Sequence, residues 1–376
     1  MKRRVIIGLS GGVDSSVALA LLIDQGYSVE AVFMRNWDSA ANRDLKGNPT
    51  LTAERCEQEQ DYQDALAVAN MFGVPLHRVD FIAEYWDRVF SYFLAEYRKN
   101  RTPNPDVLCN NEIKFKAFID YAKKHFSFDR IAMGHYARTE VIDGKPALVR
   151  AVDRNKDQTY FLSQLQSDQL KNVLFPIGHL TKEQVRKIAR DKGIPTAKKK
   201  DSTGICFIGE RHFSAFLSNY LPAQPGPIKR LDGTYIKEHA GLMNYTIGQR
   251  KGLGIGGTKE TTEPWYVVGK DLRTNTLYVE PTSEHPHLYS DEAIITEVVW
   301  RGRPIAGPMT AKFRYRQKDH EVTVEWLDER TIRVYYPQQV RAVTPGQICA
   351  FYQGRVCLGA GFIDTVYFEK QRRLYA

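Results

Sequence analysis

Residues 4–16 read Arg4-Val-Ile-Ile-Gly-Leu-Ser-Gly-Gly-Val-Asp-Ser-Ser16, an apolar run followed by glycines and hydroxyl groups. The run Val5–Leu9 is continuously apolar, which is typical of a parallel strand covered on both faces. Val13–Gln25 is predicted to form a helix that stops at Gly26. A glycine-rich loop between a strand and a helix presents backbone N–H groups and the positive end of the helix dipole to an anion. The stretch therefore predicts a phosphate-binding loop, Gly8–Ser16, which we call the phosphate loop.

Strands and helices continue to alternate after this loop. Alternation of this kind predicts a doubly wound α/β fold with a parallel sheet, whose ligands bind at the carboxyl ends of the strands. Gly8, Met34 and Gly134 all fall at such ends. The predicted elements are strands at Val29–Met34, Leu76–Phe81 and Arg130–Met133, and helices at Gln58–Phe72 and Ile113–His125.

The rest of the chain predicts further units. A helical extension is expected over 166–221, where Thr181 and Gln184 fit a capping box. Pro222–Pro227 resembles a linker. Short alternating runs beyond it predict β structure and end in a small antiparallel barrel. The predicted domains are 1–165 for nucleotide binding, 166–221 carrying Cys206, 222–285 as a small central β domain and 286–376 as the barrel.

Composition narrows the function classes. A net charge of +9 and a pI near 9.1 favour a polyanionic partner such as RNA. No apolar run approaches the roughly 18 residues of a membrane span, and we expect an intracellular protein with no membrane partner. The five cysteines include no Cys-x-x-Cys pair, so no metal site is predicted.

Two cysteines stand in surroundings that suit chemistry. Cys109 follows a stretch stiffened by two prolines and is expected just before a helix, where a thiolate is favoured. Cys206 follows three lysines and a glycine turn, and positive charge stabilises a thiolate or a persulfide. Each is equally compatible with a buried, inert cysteine. Cys349 and Cys357 are expected to pack inside the barrel.

For several other polar residues the sequence is compatible with two different roles. Asp14 would either cap the helix or help to hold Mg²⁺. Lys312–Arg316 alternates basic and aromatic side chains, as in an RNA-binding strand or in an ordinary amphipathic barrel strand. His135 lies at a strand end, either as a ligand contact or as a satisfied polar residue.

The phosphate loop resembles the Ser-Gly-Gly-x-Asp-Ser loop of the ATP-pyrophosphatase family, whose members split ATP between the α- and β-phosphates. Over nearly its whole length the chain also resembles the tRNA-specific 2-thiouridylase family. The segments that carry this second resemblance include Gly8–Ser16, Phe33–Trp37, Glu84–Asp87, Arg101–Asn110, Gly134–Tyr136, Lys156–Phe161, Asp201–Gly209, Tyr245–Arg250 and Phe313–Arg316.

The resemblance implies a site and a reaction. ATP, with Mg²⁺, would activate a wobble uridine of tRNA by adenylation. Cys206 would then carry a persulfide and Cys109 would act as its partner nucleophile. A sulfur-donor protein, either a cysteine desulfurase or a sulfur relay protein, is implied as a partner. We expect a cytoplasmic location, with the mitochondrial matrix as the alternative. The implied contacts are Gly8, Leu9, Ser10, Gly11, Gly12, Val13, Asp14, Ser15, Met34 and Gly134 for ATP; Asn104, Pro105 and Asp106 for the target base; and His135, Lys156, Asp157, Gln158, Arg314, Tyr315 and Gln347 for tRNA.

Three other functions fit parts of the sequence. One is another enzyme with the same loop, such as a tRNA-lysidine or amide-forming synthetase, which would need no paired cysteines. The second is a non-catalytic RNA-binding protein that retains an inactive nucleotide-binding fold, which would bind tRNA but release no pyrophosphate. The third is a cysteine-based redox protein that needs neither ATP nor RNA.

Overall fold

The computed structural model describes residues 2–49, 57–201, 204, 208, 211–256, 263–302 and 309–375. Cys56 and Cys206 lie outside these residues. Among the helices of the described ranges, none is both long and apolar enough to cross a membrane.

The strands of the described ranges form a parallel sheet, a central mixed sheet and an antiparallel barrel. In chain order they are β1 (Arg4–Gly8), β2 (Ser28–Arg35), β3 (Leu76–Asp80), β4 (Arg130–Met133), β5 (Ala137–Ile142), β6 (Lys145–Arg150), β7 (Val173–Leu174), β8 (Gly226–Lys229), β9 (Tyr235–His239), β10 (Trp265–Asp271), β11 (Thr276–Pro281), β12 (Tyr289–Trp300), β13 (Met309–Lys312), β14 (His320–Trp326), β15 (Ile332–Arg341), β16 (Ile348–Gln353), β17 (Val356–Phe368) and β18 (Gln371–Arg372).

Helices concentrate in the first 220 residues. They are α1 (Val13–Asp24), α2 (Glu57–Phe72), α3 (Ile82–Tyr85), α4 (Ser91–Arg98), α5 (Pro105–Leu108), α6 (Phe118–His125), α7 (Ser167–Leu170), α8 (Lys182–Asp191) and α9 (Phe213–Leu217), with π-helical segments at Trp86–Phe90 and Cys109–Ala117 and 3₁₀ turns at Leu242–Asn244 and Pro286–Leu288.

The parallel sheet has the order β3-β2-β1-β4-β7, so β1 lies in its centre. The chain runs outward from β1 through β2 to β3 and then returns to the other side of β1 as β4. This reversal is a topological switch point, where open α/β sheets bind their ligands. Gly8 pairs with Val32 on one side and with Met133 on the other, so the phosphate loop leaves the sheet at that point. The predicted α/β class is confirmed.

The helix that carries Cys109 differs from the prediction. It begins at Pro105, not at Ile113, and runs without interruption through α5, the π segment and α6 to His125. Proline is well suited to the first helical position, because its missing N–H is not needed there. Cys109 therefore lies inside this helix, at the start of the π segment, and the expectation that it precedes the helix is wrong.

The barrel is closed by six strands. Its order is β12-β15-β14-β13-β16-β17, and β17 pairs back to β12. The expected C-terminal antiparallel barrel is confirmed, and Cys349 is buried in its core. Cys357 is also buried, but it lies on the outer side of β17 and packs with Leu148 and Tyr160, so the expectation that it packs inside the barrel is wrong. The expected strand over Lys312–Arg316 is wrong, because β13 ends at Lys312 and the chain then turns, with Arg316 at a φ of 64°.

A hairpin from the first part of the chain extends the barrel sheet. Strands β5 and β6 follow β4 directly, and β6 pairs with β17 through Val149 and Leu148. The sequence analysis did not predict this hairpin. Its pairing joins the nucleotide-binding unit to the barrel by backbone hydrogen bonds. The four domain bounds themselves stay a prediction.

Helix α8 has the capping box that the sequence predicts. The Thr181 hydroxyl accepts from the backbone N–H of Gln184, and the Gln184 side chain accepts from the backbone N–H of Thr181. Both bonds satisfy donors that the first turn of a helix leaves unpaired.

Thr181→Ala should weaken this cap by about 1 kcal/mol, so amides of the first turn of α8 should exchange with solvent about fivefold faster. Hydrogen–deuterium exchange read by mass spectrometry would measure the change. Thr181→Ser keeps the hydroxyl and is the matched control. Equal exchange in the alanine and serine variants would contradict the assignment.

Candidate functional site

The phosphate loop is held by its own hydroxyl groups. The Ser15 hydroxyl accepts from the backbone N–H of Ser10 at 3.2 Å and donates to the carbonyl of Gly12 at 3.1 Å. Gly12 is the N-terminal boundary of α1, and it has no side chain to cap the helix. The free N–H groups of the first turn therefore face the end of β1, where an anion would satisfy them.

Two glycines are required by close backbone contacts. A side chain on Gly11 would meet the carbonyl oxygen of Asp61 at 2.2 Å, and Gly11 has a φ of 73°. A side chain on Gly134, at the end of β4, would meet the backbone N and Cα of Ser15 at 2.7 Å. The end of β4 and helix α2 therefore pack closely against the phosphate loop on two sides.

Asp14 does not cap α1, because its carboxylate bonds elsewhere. It accepts from Lys182 Nζ at 2.8 and 2.9 Å and from the Tyr136 hydroxyl at 2.9 Å. Lys182 also pairs with Asp201 at 2.7 Å, and its side chain is 16% exposed. Lys182 thus joins the phosphate loop to Asp201, which stands five positions before Cys206 in the sequence.

Asp201 is the centre of a group of cations. Lys156 binds it at 2.7 Å and Arg186 at 2.5 Å, in addition to Lys182. Burial opposes the ionisation of Asp201, but the hydrogen bonds from Lys156 and Lys182 outweigh it and lower its pKa well below the ordinary value. The carboxylate is therefore charged at neutral pH and fixes all three cations.

A second lysine, Lys199, links the phosphate loop to helix α2. Lys199 Nζ donates to the carbonyl of Gly11 at 3.2 Å and pairs with Asp61 and Asp64 at 2.6 Å each. Of the run Lys198–Lys200, Lys199 is thus occupied by these bonds. Lys200 lines the cleft and is exposed.

A cleft of about 440 Å³ opens above the phosphate loop. One wall is the loop with Met34 and Gly134, and another is the helix that begins at Pro105. All of the predicted contacts to ATP except Gly11 line this cleft. Of the predicted contacts to the base, Asp106 lines it and Asn104 and Pro105 do not. Four of the seven predicted contacts to tRNA also line it. The lining residues of this cleft include Gly8, Leu9, Ser10, Gly12, Val13, Asp14, Ser15, Met34, Gln58, Asp61, Asp106, Asn110, Lys114, Gly134, His135, Tyr136, Lys156, Gln158, Phe161, Lys200, Asp201, Tyr315 and Arg316.

Cys109 lies one helical turn beyond the residues predicted to contact the base. It is fully buried in the core that also holds Met34 and Met133, while Asp106 and Asn110 of the same helix line the cleft. The thiol therefore sits directly behind the cleft wall. The second predicted cysteine, Cys206, is outside the described residues.

The segment that leads into this helix is held by both β units. The Gln347 amide donates to the carbonyl of Thr102 at 2.6 Å, and Arg101 pairs with Asp364 at 2.7 Å. The Thr102 and Thr246 hydroxyls lie 3.1 Å apart, and buried Lys270 donates to the carbonyl of Asn100 at 2.7 Å. Gln347, a predicted tRNA contact, thus positions the segment that precedes Asn104, Pro105 and Asp106.

The predicted tRNA contacts differ in how accessible they are. His135 is buried at the cleft, and burial together with the charge of Lys114 lowers its pKa well below the ordinary value, so the ring is neutral. Asp157 is buried and accepts from Ala151 and Thr159. The Gln158 side chain accepts from the Tyr136 N–H at 2.8 Å. In this conformation Asp157 and Gln158 hold the chain around the cleft.

An aromatic pair lies at the mouth of the cleft. The Tyr315 ring packs on Phe161 with centroids 4.4 Å apart, and both residues are half-buried. Arg314 is turned inward, where it donates to Thr344 and to the carbonyl of Ile247. Tyr315 is therefore placed for a base contact, whereas the Arg314 guanidinium is engaged within the protein.

Sequence reasoning missed several residues at the site. It named Lys198–Lys200 as candidate phosphate contacts but not Lys182, because Lys182 comes from a helix 168 positions after Asp14. The sequence shows Lys182 directly after Thr181, the residue that caps α8, but no residue near it in the sequence indicates a contact with the phosphate loop. Asn110 and Phe161 were part of the matching segments without an assigned role.

The fold and the cleft together define an ATP-binding α/β enzyme of the pyrophosphatase-loop type with two attached β units. Three family models match the chain: "tRNA methyl transferase HUP domain" over residues 3–210, "tRNA methyl transferase PRC-barrel domain" over 214–281 and "Aminomethyltransferase beta-barrel domain" over 290–363.

Curated relatives cover the whole chain. The tRNA-specific 2-thiouridylase MnmA of Acholeplasma laidlawii is 69% identical over 100% of both chains. The protein of the same name from Phytoplasma australiense is 60% identical over 99% of this chain and 100% of its own. That from Ligilactobacillus salivarius is 53% identical over 99% and 98%. The chain belongs to the tRNA-specific 2-thiouridylase family.

Gly134→Ala should weaken ATP binding at least about tenfold, because the added methyl group would displace the backbone of Ser15. Titration calorimetry with a non-hydrolysable ATP analogue would measure the dissociation constant. Gly256→Ala is the control, since a side chain there meets nothing within 4 Å. Unchanged affinity in Gly134→Ala would mean that the loop does not bind the nucleotide.

Lys182→Met should also weaken ATP binding, by roughly tenfold, because Asp14 and Asp201 would then face the phosphates without their shared cation. Lys187→Met is the matched control on the same helix, since Lys187 is 68% exposed and pairs with exposed Asp191. The same titration should show the control binding like the unmodified protein. Equal ATP affinities for the two variants would show that Lys182 does not contribute to ATP binding.

Proposed function

We propose that this chain replaces the 2-oxygen of the wobble uridine of tRNA with sulfur in two stages that share one cleft. The tRNAs are those of the Lys, Glu and Gln types. The family of the chain consists of sulfurtransferase enzymes that modify tRNA and use ATP. What carries the proposal here is the position of Cys109 on the helix whose residues Asp106 and Asn110 line the nucleotide cleft.

The first stage activates the base. The uridine leaves its stack and enters the cleft, as base-modifying enzymes require. Its 2-oxygen attacks the α-phosphorus of ATP, the bond from that phosphorus to the bridging oxygen breaks, and pyrophosphate leaves. The base, which keeps its N3 hydrogen, carries the resulting positive charge until the bond from carbon 2 to the oxygen breaks in the second stage. The phosphate loop binds the phosphates with the N–H groups of α1, and Lys182 and Lys200 supply positive charge. Adenylation converts the oxygen into part of a good leaving group.

The second stage transfers sulfur. The outer sulfur of a Cys206 persulfide attacks carbon 2, and AMP leaves with the oxygen. The Cys109 thiolate then breaks the sulfur–sulfur bond, which leaves 2-thiouridine and a Cys109–Cys206 disulfide. In the alternative order, Cys109 first frees the sulfur as sulfide, which attacks carbon 2. A dithiol reductant must supply two electrons to restore the cysteines.

Mg²⁺ would accompany ATP and neutralise charge on the phosphates. Asp14 is the side chain in the phosphate loop with the carboxylate oxygens that Mg²⁺ prefers. To bind the ion, Asp14 would have to exchange its bonds to Lys182, whose pair with Asp201 at 2.7 Å could remain. Within the described ranges, no group of three or more His, Cys, Asp or Glu side chains forms a resident metal site.

Two kinds of macromolecular partner follow from this function. Transfer RNA suits the net charge of +9 and the aromatic pair Phe161 and Tyr315 at the mouth of the cleft. A sulfur-donor protein, a cysteine desulfurase or a relay protein, would load Cys206. The curated relatives are bacterial, which supports a cytoplasmic location; nothing in them favours the mitochondrial matrix.

Cys109→Ser and Cys206→Ser should each lower formation of 2-thiouridine by at least about 100-fold, while tRNA-dependent pyrophosphate release continues. The reason is that the cysteines act only after adenylation. Mass spectrometry of digested tRNA and a pyrophosphate assay measure the two stages separately. Cys349→Ala, in the barrel core, is the control and should keep both activities.

The competing functions predict other results. An amide-forming or lysidine synthetase would keep full product formation in both serine variants. An RNA-binding protein would release no pyrophosphate. A methyl transfer, which the names of two family models mention, would appear as a mass gain of a methyl group without sulfur.

A further inference from the structure

A buried amide in the cleft wall has an acceptor that nothing in the protein uses. Asn110 is the second residue of the π segment and is 4% exposed. It lines the cleft beside Asp106, Lys114 and His135. Among the described residues, its Oδ1 atom has no hydrogen-bond partner.

The orientation of this amide is fixed. Asn110 Nδ2 donates to the backbone carbonyl of Asp106 at 2.9 Å. A carbonyl oxygen accepts only from the NH₂ end of an amide, so the two ends of the Asn110 side chain cannot be exchanged. The Oδ1 atom is thereby held as an acceptor. A buried acceptor without a donor is costly, and in a binding site it indicates a ligand that brings the donor.

The proposed function, on which this inference rests, identifies the donor. Cys109, the residue directly before Asn110, must reach the persulfide sulfur–sulfur bond while the outer sulfur is bound to carbon 2, so carbon 2 lies close to Cys109. The ring atom next to carbon 2 is N3, and in uracil N3 carries a hydrogen. Cytosine has a lone pair at N3 instead, which would face the Oδ1 lone pairs.

We propose that Asn110 selects uridine over cytidine at the target position, because its fixed Oδ1 accepts a hydrogen bond from N3–H of the base. A site built to hydrogen-bond one substrate group rejects an analogue that lacks it, since its own buried polar group is then left unpaired. His135, also buried at the cleft, has an Nδ1 atom with no partner in the described part of the chain. Two residues of the cleft wall therefore each have a buried polar atom without a partner among the described residues.

The test compares three tRNA transcripts that differ only at the wobble position, with uridine, 3-deazauridine or cytidine there. In 3-deazauridine a carbon replaces N3, and the 2-oxygen that is adenylated remains. The readout is kcat/KM for tRNA-dependent pyrophosphate release, which precedes any step of the cysteines. The unmodified protein should prefer uridine over 3-deazauridine by about tenfold or more and should give the least release with cytidine.

Asn110→Ala should lose this preference, with its activity on uridine falling to the level of 3-deazauridine. Asn244→Ala is the matched control. Asn244 also donates from Nδ2 to the carbonyl four residues earlier, Ala240, at 3.0 Å and also has a buried Oδ1 without a partner in the described ranges, but it lies in the 3₁₀ turn of the central unit. This control should keep the uridine preference of the unmodified protein.

Several outcomes would overturn the inference. One is an unchanged ratio of uridine to 3-deazauridine activity in Asn110→Ala. Another is an unchanged ratio with weaker ATP binding, which would assign Asn110 to the adenine. If Asn110→Ala does not fold, the unmodified protein decides: equal activity on uridine and 3-deazauridine rejects the hydrogen bond. Absence of pyrophosphate release from the unmodified protein with uridine tRNA would instead reject the proposed function, and the inference with it.

Discussion

The backbone contact between Gly134 and Ser15 is the constraint on which the cleft depends. The end of β4 approaches the first turn of α1 so closely that a side chain on Gly134 would overlap the Ser15 backbone. This contact is possible because β4 returns to β1 at the switch point of the parallel sheet. It brings His135 and Tyr136 beside the phosphate loop, and it fixes where the floor of the cleft meets the wall that begins at Pro105.

Charge in the cleft is arranged by ion pairs between distant segments. Lys182 and Lys199 each bridge the phosphate loop to a carboxylate elsewhere, and Asp201 gathers Lys156 and Arg186 as well. These cations balance neighbouring carboxylates and are held in place before any ligand arrives. Preorganised charge of this kind costs little reorganisation when an anion binds or when charge develops in a reaction.

Local signals in the sequence were enough for the sheet, the phosphate loop and the capping box at Thr181. They failed where the answer depended on contacts between distant residues. The sequence pattern did not predict that the helix begins at Pro105, because the side chains of the π segment do not follow the 3.6-residue period of an α-helix. The hairpin β5–β6 has its pairing partner more than 200 positions later, in β17. Asn110 shows the same limit, since its unpartnered oxygen is apparent only once the neighbours are placed.

The pairing of β6 with β17 restricts the exchange of either unit during evolution. Each unit covers a sheet edge of the other, so neither can be exchanged as a separate module without exposing unpaired backbone groups and inviting aggregation. Changes in the barrel are also transmitted to Thr102 through Gln347. The barrel and the nucleotide-binding unit are therefore inherited together, as a single unit of selection.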